Sequence, residues 1–224
     1  MKIINRNSLR RGGFAGLRET RMVMSPRVFG SHRESGTSAG IGRFVYLADA
    51  RFMPLGDTRT HTHKEIDVIS LMVEGRIRHE GSLEHGQELL PNTVQVQRAG
   101  GEGFSHNEIN PDDAKNRMIQ LWVLPETPDE PAAYQMFDAK PGMRTRVYGG
   151  PADQQEPFPS RTLIDIARLG ADDTLEQPGK CLVYIVSGTG TGNEQDLFEG
   201  YLVETSDFNF KASTECMLIV ASEA

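Results

Sequence analysis

A chain of 224 residues, 38% hydrophobic and with two cysteines, has room for one large β domain or two small ones, and is too poor in cysteine for a disulfide-built scaffold. No apolar run approaches the ~20 residues of a membrane span, and the opening Met1-Lys-Ile-Ile-Asn-Arg-Asn-Ser lacks a signal-peptide core, so a cytoplasmic protein is expected. The net charge of −7 argues against direct nucleic-acid binding. It is unevenly shared: residues 1–33 carry eight Lys or Arg and one acid, Glu19, while residues 140–224 carry seven bases and thirteen acids. The basic stretch is expected to pair with acidic surface of the same protein or of an oligomer mate, the alternative being an anionic partner.

Residues 1–40 are polar, rich in Gly, Ser and Arg, and without a period; they are read as a segment wrapping the first domain. Strands are predicted at 41–47, 65–73, 76–80, 93–97, 104–109 and 117–124, each short, rich in β-branched or aromatic residues and bounded by Gly, Pro, Asn or Asp. Val94-Gln95-Val96-Gln97 alternates as a half-buried antiparallel strand would. Turns are expected at Glu74-Gly75, His85-Gly86 and Pro91-Asn92. Three prolines between Pro125 and Pro131 then end the rhythm, since proline cannot continue a central strand. Residues 132–137 read as a short helix or an extended crossover. Strands resume at 161–167, 181–187, 199–205 and 215–221, and Val186-Ser187-Gly188 repeats the rhythm of Val73-Glu74-Gly75. The halves therefore read as two copies of one β unit, the second diverged, and such short strands point to a sandwich or barrel. Cys181 and Cys216 lie in apolar runs and are read as buried structural thiols.

Histidine carries the chemistry. On a strand, residues i and i+2 leave the same face, so His61 and His63 of His61-Thr62-His63 can reach one point. His106-Asn107-Glu108 repeats the geometry with an imidazole and a carboxylate. A lone His-x-His is often a surface coincidence; a second pair on another strand, again of ligand-type residues, argues against one. If the strands are neighbours, three nitrogens and one oxygen converge, a set suited to one first-row divalent metal, whether iron, manganese, nickel, copper, cobalt or zinc. His79 and His85, beside polar turns, and His32, in the lead segment, are expected at the surface.

Three stretches carry a resemblance. Residues 56–75, with His61-Thr62-His63-Lys64, then Asp67 and the closing Glu74-Gly75, look like the first cupin motif in its pirin form. Arg78-His79-Glu80-Gly81-Ser82 is similar to that family's His-x-Asp-Ser turn. Ala99-Gly100-Gly101-Glu102-Gly103 leading into His106-Asn107-Glu108 resembles its Ala-Gly-x-Gly before His-x-Glu, and Gln120–Pro125 resembles the strand closing the first domain. The resemblance to the pirin family is strongest over residues 56–125 and weak beyond 140. It implies an all-β bicupin, with an N-terminal domain over 1–139 carrying the metal and a diverged C-terminal domain over 140–224. It implies iron, most plausibly Fe(II), held by His61, His63, His106 and Glu108. Thr62 departs from the usual proline, Pro91-Asn92-Thr93 from Pro-Gly-Asp, and Val96-Gln97 from a bulky Trp-Met pair. Residues 140–224 hold no histidine and cannot repeat the site.

Members with intact ligands include quercetin 2,3-dioxygenase-type enzymes, which open flavonols with dioxygen, and pirin itself, a nuclear iron protein proposed as a redox-responsive transcriptional co-regulator. The expected function is accordingly a dioxygenase acting on a phenolic substrate, with Glu108 as a fourth ligand or as the catalytic base. The alternative is a metal-binding regulatory or structural bicupin working through protein partners.

Overall fold

The computed structural model describes residues 1–83 and 86–224; among these the regular structure is nearly all strand, with one four-residue helix, Pro26–Phe29, and two 3-10 turns. His85, expected at a surface turn, lies outside the described residues. Four sheets arise in two pairs. In spatial order, a seven-stranded sheet runs Ala133–Asp138, Thr93–Arg98, Asp67–Glu74, Arg117–Val123, Phe44–Phe52, Leu17–Met24 and Arg11–Gly12. A four-stranded sheet, His61–His63, Phe104–Ile109, Ile77–Gly81 and Glu88–Leu89, supplies the strands that carry the four sequence-predicted ligands. The later half repeats the plan with a six-stranded and a four-stranded sheet. This is the expected all-β bicupin architecture. Among the described residues no helix is long and apolar enough to cross a membrane.

Strand alternation explains where each side chain goes. Leu47, Ile69, Leu71, Val94, Val96, Ile119 and Leu121 leave one face of the seven-stranded sheet. They pack against Tyr148, Ile164, Ile166, Leu182, Tyr184 and Ile219 of the six-stranded sheet, forming the core between the halves. Each such residue contributes roughly 1.5–3 kcal/mol of burial. The opposite faces close two smaller cores, Phe52, Met72, Ile77 and Met118 in the first half and Val183, Phe208, Leu218 and Val220 in the second.

Several expectations are corrected. The first forty residues are not an irregular wrap: Leu17–Met24 is an eight-residue strand inside the first sheet, and Lys2–Asn5 crosses to pair with Tyr201–Glu204 of the six-stranded sheet. Local alternation failed there because both faces of Leu17–Met24 are largely buried, which erases the polar–apolar rhythm. The 132–137 segment is a strand, Ala133–Asp138, paired with Thr93–Arg98. For the same reason Thr93–Arg98 is not half-buried: Gln95 and Gln97 face the interior of the first half and are as hidden as the valines. The basic residues of the first segment do meet acids of the same chain, Lys2 with Glu204 and Arg6 with Asp49 and Glu199. Both cysteines are buried and free.

Candidate metal centre

The strands His61–His63 and Phe104–Ile109 are antiparallel neighbours, with His61 opposite His106 and Thr62 opposite Ser105. The outward pair is joined by a 2.9 Å hydroxyl contact, Thr62 Oγ1 to Ser105 Oγ, which fixes the register. Arg59 and Glu65, both in the left-handed region at φ +59° and +53°, turn the chain at either end of the short strand. On its other side Phe104–Ile109 pairs with Ile77–Gly81, where Gly81 faces His106. A Cβ on Gly81 would sit 2.4 Å from the Ser105 carbonyl oxygen, so only glycine permits this approach. Gly103, at φ +78°, likewise brings the chain against the His63 carbonyl.

Three imidazoles meet. Ring centroids are 4.9 Å apart for His61 and His63, 4.5 Å for His61 and His106, and 5.0 Å for His63 and His106. One nitrogen from each ring lies within 4.8 Å of the other two. The hydrogen bonds fix how the rings are turned. His61 Nδ1 is 2.9 Å from the Arg59 carbonyl oxygen, an acceptor only, so Nδ1 holds the proton and Nε2 is bare. His106 Nδ1 lies 3.1 Å from His79 Nε2, and the Gln97 amide nitrogen, a donor only, also lies 3.1 Å from His79 Nε2. His79 Nε2 therefore backs the His106 ring at Nδ1 and turns that ring's Nε2 towards His61, 3.0 Å from His61 Nε2. His63 Nε2 is buried with no partner. Two ring nitrogens facing each other and an orphaned third are what a bound cation would satisfy, and the donor set suits a first-row metal.

Electrostatics agree. Burial, then the neighbouring His61, lowers the His63 ring from 6.5 to about 4. Burial, then His61, His63 and His79, lowers His106 to about 2. Both rings are neutral near pH 7, with lone pairs available.

Glu108 stands on the inward face two residues beyond His106 but outside that set of three. Its Oε1 accepts from Ser70 Oγ at 3.4 Å and its Oε2 from Gln120 Nε2 at 3.2 Å. Burial pushes its carboxyl up to about 7 despite both hydrogen bonds. Asp67, the other acid of the first motif, faces away. It accepts from Tyr148 Oη at 2.6 Å in the interface between the halves, so it is no proton acceptor for this site.

His79 corrects the sequence reading most sharply. It is fully buried, not at the surface, and supports His106. Its signal was parity: Ile77 and His79 share a face, and Ile77 is an obvious core residue. A cleft of about 470 Å³ leads from His61, His63 and Glu108 past Gln120 to a wall of Phe29, Tyr46 and Trp122. Tyr46 and Trp122 stack at 4.2 Å between centroids, and Phe29 lies nearly parallel to Trp122 at 6.3 Å. Glu19, which accepts from Tyr46 Oη and Arg21 Nε at 2.8 Å each, also lines the cleft.

Comparison with known proteins agrees with this geometry. The pirin family model matches residues 31–123, which include all four sequence-predicted ligands. A quercetin 2,3-dioxygenase of Escherichia coli strain K12 is 29% identical over 86 residues, covering 37% of this chain and 37% of that protein. The matched stretch thus spans little more than a third of that relative's length. Among solved structures, the bacterial pirin YhhW from Escherichia coli in complex with nickel(II) superposes with a TM-score of 0.82 at 15% identity, over 98% of this chain and 97% of that one. A quercetin 2,3-dioxygenase from Acinetobacter baumannii superposes with a TM-score of 0.73 at 17% identity, over 100% and 85%. The motif-bearing stretch is thus similar in sequence to the pirin family, and the whole chain shares the fold of the solved pirin structures.

Proposed function

We propose that this protein is a metal-dependent oxidoreductase of the quercetin 2,3-dioxygenase type. In this reading residues 1–139 carry one divalent metal, Fe(II) before the other first-row ions, and residues 140–224 form a metal-free second domain that walls the first. His61, His63 and His106 would hold the metal through their Nε2 atoms, with Glu108 available as a fourth ligand. The facing Nε2 atoms of His61 and His106 beside the orphaned His63 Nε2 are the observation that carries this reading. When bound, the metal would acidify a phenolic hydroxyl and bring dioxygen chemistry to it.

The remaining work falls to side chains of this chain. The stacked Tyr46, Trp122 and Phe29 offer a flat face on which a planar phenolic ring can lie. Glu108, with a carboxyl near 7, is suited to take the substrate's hydroxyl proton at a carboxylate oxygen and to hold it. Gln120 Nε2 and Ser70 Oγ orient that carboxylate, and Trp122 Nε1 in turn donates to Gln120 Oε1 at 3.2 Å. The support from relatives is that proteins named quercetin 2,3-dioxygenase share the motif stretch and the fold.

The test is dioxygen uptake by iron-loaded protein with a panel of flavonols and catechols. Uptake tied to ring opening is expected, and Glu108→Gln should lower turnover per bound iron by about two orders of magnitude. If no phenolic supports uptake, the non-catalytic alternative replaces this one. If Glu108→Gln turns over normally per iron, the carboxylate is not the base.

A further inference from the structure

A second cavity, about 450 Å³, opens at the margin between the two halves, where the N-terminal turn Arg6–Ser8 crosses from one to the other. Its wall includes Arg18, Asp49 and Arg51, which point from the seven-stranded sheet away from the histidines. Among the described residues five cations surround it, Arg6, Arg11, Arg18, Arg51 and Lys115, against two carboxylates, Glu19 and Asp49. Three positive charges are therefore in excess, in a chain whose net charge is −7.

The two carboxylates are already engaged. Glu19 accepts from Arg21 and Tyr46. Asp49 is buried and accepts from Arg117 Nη2 and Tyr184 Oη, both at 2.7 Å, from Arg51 at 3.0 Å and from Arg6. One negative charge thus anchors three guanidinium groups and cannot compensate them all; Glu199, on Arg6 and Arg117, adds only one more. Among the described residues Arg11, Arg18 and Lys115 have no carboxylate within ion-pair distance. Arg18 is held instead by the Leu17 carbonyl at 2.9 Å, which fixes its direction without neutralising it. Pre-positioned planar guanidinium groups match carboxylate and phosphate oxygens two at a time, and holding them together without an anion costs repulsion. The volume is that of a small-molecule site.

We propose that this cavity binds a small polyanion, a compound carrying two or more phosphate or carboxylate groups. The site lies apart from the three imidazoles, with Glu19 bordering both cavities, and its occupant would bridge strands of the first half and the N-terminal crossover to the second.

Isothermal titration of the full chain with inorganic pyrophosphate, and separately with citrate, tests this and separates the phosphate from the carboxylate form of the ligand. Saturable one-to-one binding of at least one is expected, weakening as salt rises. Arg18→Gln combined with Lys115→Gln, at exposed positions outside the Asp49 cluster, should weaken it by about tenfold or more. Lys140→Gln with Arg161→Gln, the same charge change elsewhere, should leave it unchanged, and so should His61→Ala. The anion should also raise the Tm of wild type, a readout that needs no variant. The proposal is overturned if neither anion binds at millimolar concentration, if both charge-pair variants weaken binding equally, or if binding is lost in His61→Ala.

Discussion

Replacing His79 by leucine probes whether the metal site depends on the hydrogen-bonded chain behind it. Leucine approximates the volume of histidine, so the fully buried position remains filled, but it accepts no hydrogen bond. Two buried nitrogens then lose their partner, His106 Nδ1 and Gln97 Nε2, each 3.1 Å from His79 Nε2. A buried polar group left unpaired costs about 1–3 kcal/mol, so global stability should fall by about 2–4 kcal/mol for the pair, allowing for relaxation. Separately, His106 loses the partner that orients its ring through Nδ1 and turns Nε2 towards the site. Loss of such a support commonly costs 10–100-fold in metal affinity, or about 1.4–2.7 kcal/mol. The two effects are separable. Adding Gln97→Leu removes one of the stranded groups and should recover part of the stability but none of the affinity. Urea unfolding of the metal-free protein reads the first, and competition with a chromophoric chelator for Fe(II) or Ni(II) reads the second. Affinity within about twofold of wild type in a folded His79→Leu protein would refute the supporting role of His79.

Wild type should retain about one metal per chain, and His61→Ala with His63→Ala should abolish it by elemental analysis while the circular dichroism spectrum persists; full retention would place the site elsewhere. Gly81→Ala should press on Ser105 and His106, lowering stability by about 1–3 kcal/mol and weakening metal binding; a variant unchanged in both thermal unfolding and metal titration would contradict the close approach. Asp49→Asn leaves Arg117, only 1% exposed, short of its main counter-charge, so urea unfolding at pH 7 should show a loss of about 3–5 kcal/mol. The same group sets a pH dependence. Burial would raise the Asp49 carboxyl, but the hydrogen bonds and charge of Arg117, then the charge of Arg6, hold it at about 2 against an ordinary 3.8. Its stabilisation is present above about pH 4 and is lost as pH falls towards 2, about 2 kcal/mol that Asp49→Asn should lack; parallel acid-unfolding curves for the two proteins would count against it.

By itself the sequence determined the fold class and the three imidazoles. Period-two placement puts His61 with His63, and His106 with Glu108, on one face each, whatever the surroundings, because a strand alternates by covalent geometry. Turn residues marked several strand ends for the same local reason: Phe104–Ile109 and Cys181–Ser187 lie where composition put them. What lay beyond local geometry was the pairing. Leu17–Met24 and Thr93–Arg98 are covered on both faces, so alternation carried no information about which side was core. Tertiary structure alone brought His79 and Gln97 behind His106, turned Asp67 towards Tyr148, and left Glu108 with Ser70 and Gln120 outside the set of three nitrogens. Each of those outcomes depends on which strand lies beside or across from which. That choice is made by the burial of two whole sheets against each other, a sum over some two dozen core side chains that no single motif contains.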